Sequence, residues 1–285
     1  MSGYDHYTAL TVDIDGGVAN VSLAGFGHDD DHDGGGGDRE QGSIFLELGR
    51  LMNEFREDRD VRVIVLTGAR DGVFLASGPS SIYAVPEAVA HVTDPVNSWH
   101  LMGVIRTHTA MAEIEKPIVA KVNGDAIGFG QSVMFSSDFA IAREDAVIND
   151  VHMGQGTVLR SDGSGPVGPG FGLVPGDGAG AVVPLFMSPM KAKEYLMLSE
   201  TLTGAELAAM NCINAAVPAA ELDARVDELV EKLLSKSAYA LGWTKRLVNR
   251  HVFEQLNRAL DLSLAYEHIT IMQSEKLGFD NLTTL

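Results

Sequence analysis

Apolar residues recur with two different periods along the first half of the chain. The segments TALTVDI and ANVSL alternate apolar and polar positions around an Asp-Gly-Gly turn, which predicts a β-hairpin. In SIFLELGRLMNEFRED, one helical face carries Ile44, Leu48, Leu51, Met52 and Phe55. VRVIVLTG and KPIVAKVNG then predict buried strands. This alternation of extended and helical segments predicts an α/β fold.

The pattern becomes helical toward the C-terminus. SPMKAKEYLMLSE begins with a Ser-Pro pair and continues with amphipathic spacing, which predicts a helix. From Ala220 onward, apolar residues recur at helical spacing almost to the end of the chain. We therefore expect an α/β core over residues 1–219 and a helical region over residues 220–285.

Composition and charge narrow the class of protein. A chain of 285 residues with 45% hydrophobic and 21% charged residues can bury a substantial core. A net charge of −18 argues against general affinity for nucleic acid or anionic membranes. The single cysteine, Cys212, excludes an internal disulfide and is expected to be a small buried apolar residue. Neither a signal peptide nor a long apolar run is evident, so we expect a cytoplasmic protein.

An acidic segment, FGHDDDHDGGGGDREQG, contains histidines and aspartates between His28 and Asp33. These side chains offer ligands for a divalent ion, but four consecutive glycines provide no rigid frame for one. We therefore expect a solvated surface loop and no metal site in this protein.

The segment VNGDAIGFGQS, residues 122–132, allows three interpretations. A phosphate-binding turn is disfavoured because the Lys-Ser/Thr ending of a P-loop is missing. The glycines also suit tight packing without any ligand. In the third interpretation, a strand, a tight turn and a helix N-terminus direct backbone N–H groups and the helix dipole at one carbonyl oxygen.

The order of these motifs resembles the crotonase, or enoyl-CoA hydratase/isomerase, superfamily. The resemblance runs from the hairpin through GVFLASG, KPIVAKVNGDAIGFG, SSDFAIARED and VPGDGAGAVVPL to TGAELAAMNCINAAVP. It implies a spiral of ββα units whose helical C-terminal region packs at a trimer interface, often in a dimer of trimers. It also implies an acyl-CoA thioester substrate, with coenzyme A as part of the substrate and no separate cofactor.

The resemblance further implies two backbone N–H groups that hold the thioester oxygen. The simplest matching places them at Gly78 and Phe129. If the first turn carries a one-residue insertion, the matching position is Pro79, which has no N–H to donate. Ala76 and Gly128, beside these positions, are the corresponding substrate-binding candidates. Lys276 and Phe279 are candidates for the coenzyme A side, where this chain lacks the final basic and aromatic helix of many relatives.

Neither glutamate of the superfamily's hydratases has a counterpart. Ser132 stands at the first position, where it is either a bound-water ligand or a small polar helix residue, and ungapped matching gives His152 at the second. A histidine titrates near neutral pH and so suits proton transfer. Asp150, two residues earlier, is either its orienting partner or a solvated carboxylate.

Asp177, in VPGDGAG, is the third candidate. It stands near an expected helix start, where a carboxylate is favoured as a cap. The superfamily's hydrolytic branch, which cleaves carbon–carbon bonds of β-diketones, carries a similar segment with a catalytic aspartate. That branch also has a histidine shortly before the aspartate. Since none is present here, His152 would have to reach Asp177 across a glycine-rich insertion.

These residues predict an acyl-CoA enzyme that stabilises a thioester enolate. His152 is the candidate for proton transfer, supported by Asp150 or Asp177. Two alternatives remain: a hydrolase of carbon–carbon bonds in β-diketones or β-keto acyl-CoA substrates, and a non-catalytic acyl-CoA binding protein.

Overall fold

The computed structural model describes residues 3–24, 44–76, 99–153, 157–159, 166–169 and 172–277. The predicted acidic loop, both candidates for the first oxyanion position, Gly78 and Pro79, and the candidate Phe279 lie outside these residues. Lys276 lies on the last helix, but its side chain is outside the described part. These expectations therefore stay predictions.

The described residues form strands and helices that alternate through the first two thirds of the chain. The strands are β1 (Leu10–Asp15), β2 (Val18–Leu23), β3 (Val63–Gly68), β4 (Gly72–Ala76), β5 (Ile118–Val122), β6 (Gly124–Ile127), β7 (Phe139–Arg143), β8 (Val147–Asn149), β9 (Thr157–Leu159), β10 (Pro166–Pro169), β11 (Thr201–Thr203) and β12 (Ala215–Val217). The helices are α1 (Ile44–Glu57), α2 (Trp99–Glu113), α3 (Phe129–Ser136), α4 (Ala179–Phe186), α5 (Pro189–Met197), α6 (Gly204–Ala209), α7 (Leu222–Leu234) and α8 (Ala238–Leu277). The predicted α/β class is confirmed.

The strands form two main sheets within the described part. One has the order β1-β2-β3-β5-β7-β12, in which the N-terminal hairpin is antiparallel and the remaining pairs are parallel. The other has the order β11-β8-β6-β4, with β4, β6 and β8 parallel. Strands β9 and β10 pair with each other.

The carboxyl ends of β4, β6 and β8 lie at one edge of the smaller sheet. Ala76 pairs with Ile127, and Ile127 pairs with Asn149. In parallel sheets the loops beyond the carboxyl ends of the strands are the usual place for a ligand. Residues that directly follow Ile127 and Asn149 are therefore brought together by the pairing of β6 with β8.

The amphipathic pattern of α1 correctly predicted the buried face of that helix. Ile44, Leu48, Leu51, Met52 and Phe55 are all buried in the main core, where α1 packs against α2. Each such side chain contributes about 1.5–3 kcal/mol on burial. Cys212 is also buried, as expected, with its thiol 3.4 Å from the carbonyl oxygen of Phe186.

Two glycines let α3 follow β6 closely. Gly128, at the N-cap of α3, has φ of 59°, a conformation that most side chains resist. A Cβ atom at Gly130 would lie 1.7 Å from the carbonyl oxygen of Leu75 in β4. The tight-packing interpretation of the glycine motif therefore holds for Gly130, and this packing places the start of α3 against the carboxyl edge of the smaller sheet.

The long helix α8 packs along α2 and α4. Its Lys245 ammonium lies 2.7 Å from the carboxylate of Asp138, just before β7, and donates to the carbonyl oxygen of Lys116. Burial raises the pKa of Asp138 and lowers that of Lys245, because each charge is removed from water. In the described part of the chain, no helix, α8 included, is both long and apolar enough to cross a membrane.

We expect Lys245→Met to reduce the free energy of unfolding by about 3 kcal/mol, because it leaves the partly buried Asp138 carboxylate without its cationic partner. The double variant Lys245→Met/Asp138→Asn leaves no unpaired charge and should lose less. Urea unfolding of both variants measures the difference. Equal losses would contradict the pairing.

Candidate active site

The glycine motif brings the start of α3 beside the end of β8. The N–H of Gly128 donates to the carbonyl oxygen of Asn149 at 3.0 Å, so this hydrogen bond joins the start of α3 to the end of β8. Phe129 is the first residue of α3, and its buried ring packs 4.4 Å from that of Phe45. The Phe129 N–H thus lies at the helix end where the dipole favours negative charge.

His152 follows β8 and is held by Asp150. Its Nδ1 lies 3.1 Å from Asp150 Oδ1, and its backbone N–H donates to the same oxygen at 3.2 Å. Asp150 is fully buried, so the alternative of a solvated carboxylate is wrong. A carboxylate on Nδ1 fixes the ring orientation and leaves Nε2 to face the rest of the cluster.

Asp177 reaches the same cluster from a turn more than 20 residues later. Its Oδ2 lies 3.8 Å from His152 Nε2, and its Oδ1 accepts a bond of 3.4 Å from the Ser132 hydroxyl. Of the two alternatives for this residue, helix capping does not occur. Gly178 occupies the N-cap of α4, and no side-chain cap bond forms there.

A carboxylate that the sequence reasoning missed completes the cluster. Glu267, on α8, is fully buried, with Oε1 3.3 Å from His152 Nε2. It lies seven residues after Leu260 and three after Leu264, both buried on the same helix face. A carboxylate on an apolar helical stripe is the signal that points to it.

The turn before α4 is fixed from three sides. The N–H of Leu173 donates to the carbonyl oxygen of His152 at 2.8 Å, and the N–H of Val174 donates to the Thr270 hydroxyl on α8 at 3.2 Å. His108, on α2, bonds the carbonyl oxygen of Asp177 through Nε2 at 3.1 Å and the Ser136 hydroxyl through Nδ1 at 2.7 Å. Burial lowers the pKa of His108 to about 4, so this ring is a neutral support at physiological pH.

The buried cluster shifts the pKa of both central groups upward. Burial raises the pKa of Asp177 to about 7, with Asp150 and Glu267 adding to the rise and His152 opposing it. Burial acts to lower the pKa of His152, but Asp150 and Asp177 together with the hydrogen bond to Glu267 outweigh it. The pKa of His152 therefore lies well above its usual value. The pair thus favours a protonated imidazole beside a carboxyl group that holds its proton more tightly than usual.

The side chains of Asp150, His152 and Asp177 are also spaced closely enough to hold a metal ion. One ligand atom from each of Asp150, His152 and Asp177 lies within 4.8 Å of the other two. Such a set would fit a divalent ion. The direct imidazole–carboxylate contacts account for the same spacing without an ion, so the expectation of no metal stays a prediction.

Residues 42–281 match the family model described as enoyl-CoA hydratase/isomerase. The chain belongs to the enoyl-CoA hydratase/isomerase family. The predicted superfamily is thereby confirmed.

Relatives within the enoyl-CoA hydratase/isomerase family are distant. A probable mitochondrial enoyl-CoA hydratase of Dictyostelium discoideum is 26% identical over 206 residues, which cover 72% of this chain and 65% of that protein. A crotonyl-CoA hydratase of Syntrophomonas wolfei is 26% identical over 219 residues, which cover 76% and 75%. This chain thus spans just under two thirds of the Dictyostelium relative's own length.

Solved structures share the fold. An enoyl-CoA hydratase/isomerase from Mycobacterium paratuberculosis matches with a TM-score of 0.74 and 23% identity, covering 99% of this chain and 100% of that one. A β-diketone hydrolase from Anabaena, bound to (S)-3-oxocyclohexyl acetic acid, matches with a TM-score of 0.74 and 20% identity, covering 96% and 99%. At these identities the structural similarity supports the predicted crotonase-like fold, but it does not show which reaction this chain catalyses.

The family candidates thus separate into two groups. Ser132, Asp150, His152 and Asp177 lie in one buried cluster, together with the unforeseen Glu267. Ala76 and Gly128 lie at the carboxyl edge of the smaller sheet, but no contact in the described part tests them as substrate-binding residues.

We expect Gly178→Ala to destabilise the protein and disturb Asp177. The residue has φ of 110°, and an added Cβ would lie 2.1 Å from His108 Nε2. The matched control is Gly72→Ala, where φ is 75° and the space around a Cβ is open. Backbone strain should cost each variant about 1–3 kcal/mol, and overpacking a further 1–3 kcal/mol or so in Gly178→Ala alone. Equal unfolding free energies would contradict the close approach.

The raised pKa of Asp177 predicts a pH-dependent stability. Because the folded chain binds this proton more tightly than the unfolded chain, the contribution is present at low pH and lost as the pH rises through about 7. Between about pH 4 and pH 7, stability should therefore fall more steeply in the wild type than in Asp177→Asn, by at most about 1.4 kcal/mol per pH unit. Urea unfolding across this range provides the measurement, and parallel slopes would refute the shift.

Proposed function

We propose that this protein is an acyl-CoA enzyme that stabilises a thioester enolate and moves protons through His152 and Asp177. The observation that carries the proposal is the buried contact of His152 with Asp150, Asp177 and Glu267, directly beside the start of α3. Membership in the enoyl-CoA hydratase/isomerase family supports the thioester class of substrate.

Asp177 supplies the carboxylate that position 132 lacks. Ser132 is too short to act where the hydratases carry a glutamate, and it is a poor base at neutral pH. The Asp177 carboxylate lies 3.4 Å from the Ser132 hydroxyl, so it comes close to the space that a longer acidic side chain at this position would fill. With a pKa of about 7, it suits a general base near neutral pH.

The proposed reaction is the addition of water to an enoyl thioester. Asp177 takes one proton from water while the oxygen bonds to the β-carbon, and the electron pair of the double bond moves toward the thioester oxygen. The N–H groups of Phe129 and, by the family resemblance, Gly78 stabilise that oxygen. The His152 imidazolium then gives a proton to the α-carbon. The Asp177 proton returns to His152 across their short separation.

A second candidate is hydrolysis of a carbon–carbon bond in a β-diketone or a β-keto acyl-CoA. The observation that favours it is the approach of His152 Nε2 to Asp177 Oδ2 despite the long intervening segment. In this reaction, Asp177 activates water for attack on a ketone carbon. Cleavage of the adjacent bond leaves an enolate, which His152 protonates.

Product analysis with crotonyl-CoA and with a cyclic β-diketone separates the candidates. We expect crotonyl-CoA to gain one water with its thioester intact; ring opening of the diketone to a keto acid would instead support the hydrolase. Saturable binding of crotonyl-CoA without turnover of either substrate would instead support a non-catalytic acyl-CoA binding protein. A metal chelator in a parallel assay tests the expectation that no ion is required.

On whichever substrate is converted, His152→Gln and Asp177→Asn should each lower kcat by about 10²–10⁴-fold, the usual contribution of a general acid or base. His251→Gln, an exposed position on α8, is the matched control and should retain activity. Wild-type kcat in both site variants would refute the proposed proton transfer.

A further inference from the structure

Tyr195 carries a buried hydroxyl whose partner is missing from the described part of the chain. The residue lies on α5 and is 0% exposed, yet none of the described groups lies within hydrogen-bond distance of its oxygen. Tyrosine hydroxyls normally find a partner when they are buried, because an unmet one costs stability. A phenylalanine would fill the same space without that cost. The hydroxyl therefore needs a polar partner that is not among the described residues.

The backbone that follows Tyr195 is tied to the candidate active site. The Ser199 hydroxyl donates to the carbonyl oxygen of Asp150 at 2.5 Å, and the Asn149 amide donates to the carbonyl oxygens of Ser199 and Glu200 at 2.9 Å. The Glu200 N–H donates in turn to the carbonyl oxygen of Tyr195. Burial, with added repulsion from Asp150 and Asp177, raises the pKa of Tyr195 well above its usual value. The phenol therefore stays protonated and remains a hydrogen-bond donor within the electrostatic influence of Asp150 and Asp177.

Other buried oxygens at this cluster lack a hydrogen-bond partner in the described part. They include Asp177 Oδ2, Gln131 Oε1 and Asn149 Oδ1, and the Gln131 amide nitrogen contacts Asp150 Oδ2 at 3.4 Å. Folded proteins rarely leave several such atoms unmet in one place. A buried water satisfies two to four polar groups of this kind.

We propose that Tyr195 donates a hydrogen bond to a water molecule held beside Asp177, and that this is the water consumed in the reaction. The inference rests on the proposed function. The water accepts from the Tyr195 hydroxyl and donates to Asp177 Oδ2, which leaves one lone pair to attack the substrate carbon. On attack, its proton passes to Asp177 and its oxygen forms the new bond.

The kinetic test compares Tyr195→Phe with the wild type. Loss of one hydrogen bond to the water should lower kcat by about tenfold to a hundredfold. KM should change little, because the hydroxyl contacts the water and not the carbon substrate. The matched control is Tyr7→Phe, which removes a buried hydroxyl beside α1 and should keep the wild-type kcat. An unchanged kcat in Tyr195→Phe, or a raised KM alone, would overturn the inference.

Thermal unfolding without substrate separates this role from a structural one. Tyr195→Phe should keep or raise the midpoint, because the chain itself offers the hydroxyl no partner among the described residues. A lowered midpoint or loss of the fold would assign the hydroxyl a structural role and overturn the inference.

A crystal structure of the wild type provides a readout that needs no activity. We expect ordered water within hydrogen-bond distance of both the Tyr195 hydroxyl and Asp177; a protein group in its place would overturn the inference. If His152→Gln stays active, the proposed function fails. If His152→Gln is inactive and Tyr195→Phe is fully active, the inference about Tyr195 is wrong while the proposed function stands.

Discussion

A buried imidazole surrounded by three carboxyl groups is the interaction on which the site depends. Asp150, Asp177 and Glu267 approach His152 from the end of β8, from the turn before α4 and from α8. Such charges are costly away from water unless they are paired or take up a proton. The raised pKa values of His152 and Asp177 are the result of that constraint. The same constraint joins three distant segments of the chain at one point.

Local patterns predicted the fold well because its elements follow from local rules. The buried face of α1 follows from helical spacing, and the hairpin of β1 and β2 follows from alternation around a glycine turn. The Ser188 cap and the proline at the start of α5 confirm the helix predicted there. The trimeric assembly depends on contacts between chains, and no observation on the described residues tests the division at residue 219, so both stay predictions.

The site was predicted only where the sequence contained a motif. Asp177 was found through the glycine-rich motif around it, and His152 through ungapped matching to the second glutamate position of the superfamily. Their meeting depended on folding across a long insertion. Glu267 and Tyr195 have no such motif, since each belongs to a helix with an ordinary amphipathic pattern. Both are buried because of which helix face the tertiary fold turns inward, and a single sequence gives only weak information about that face.

The helical C-terminal region contributes to the candidate site as well as to packing. Glu267 contacts His152, and Thr270 holds the backbone of the turn that carries Asp177. The Lys245 pair anchors the other end of the same helix to the sheet through Asp138. Because α8 is one continuous helix, a shift at either end moves the carboxylate that faces His152. A role limited to subunit assembly would not require a buried acid at that position, so α8 is part of the candidate site itself.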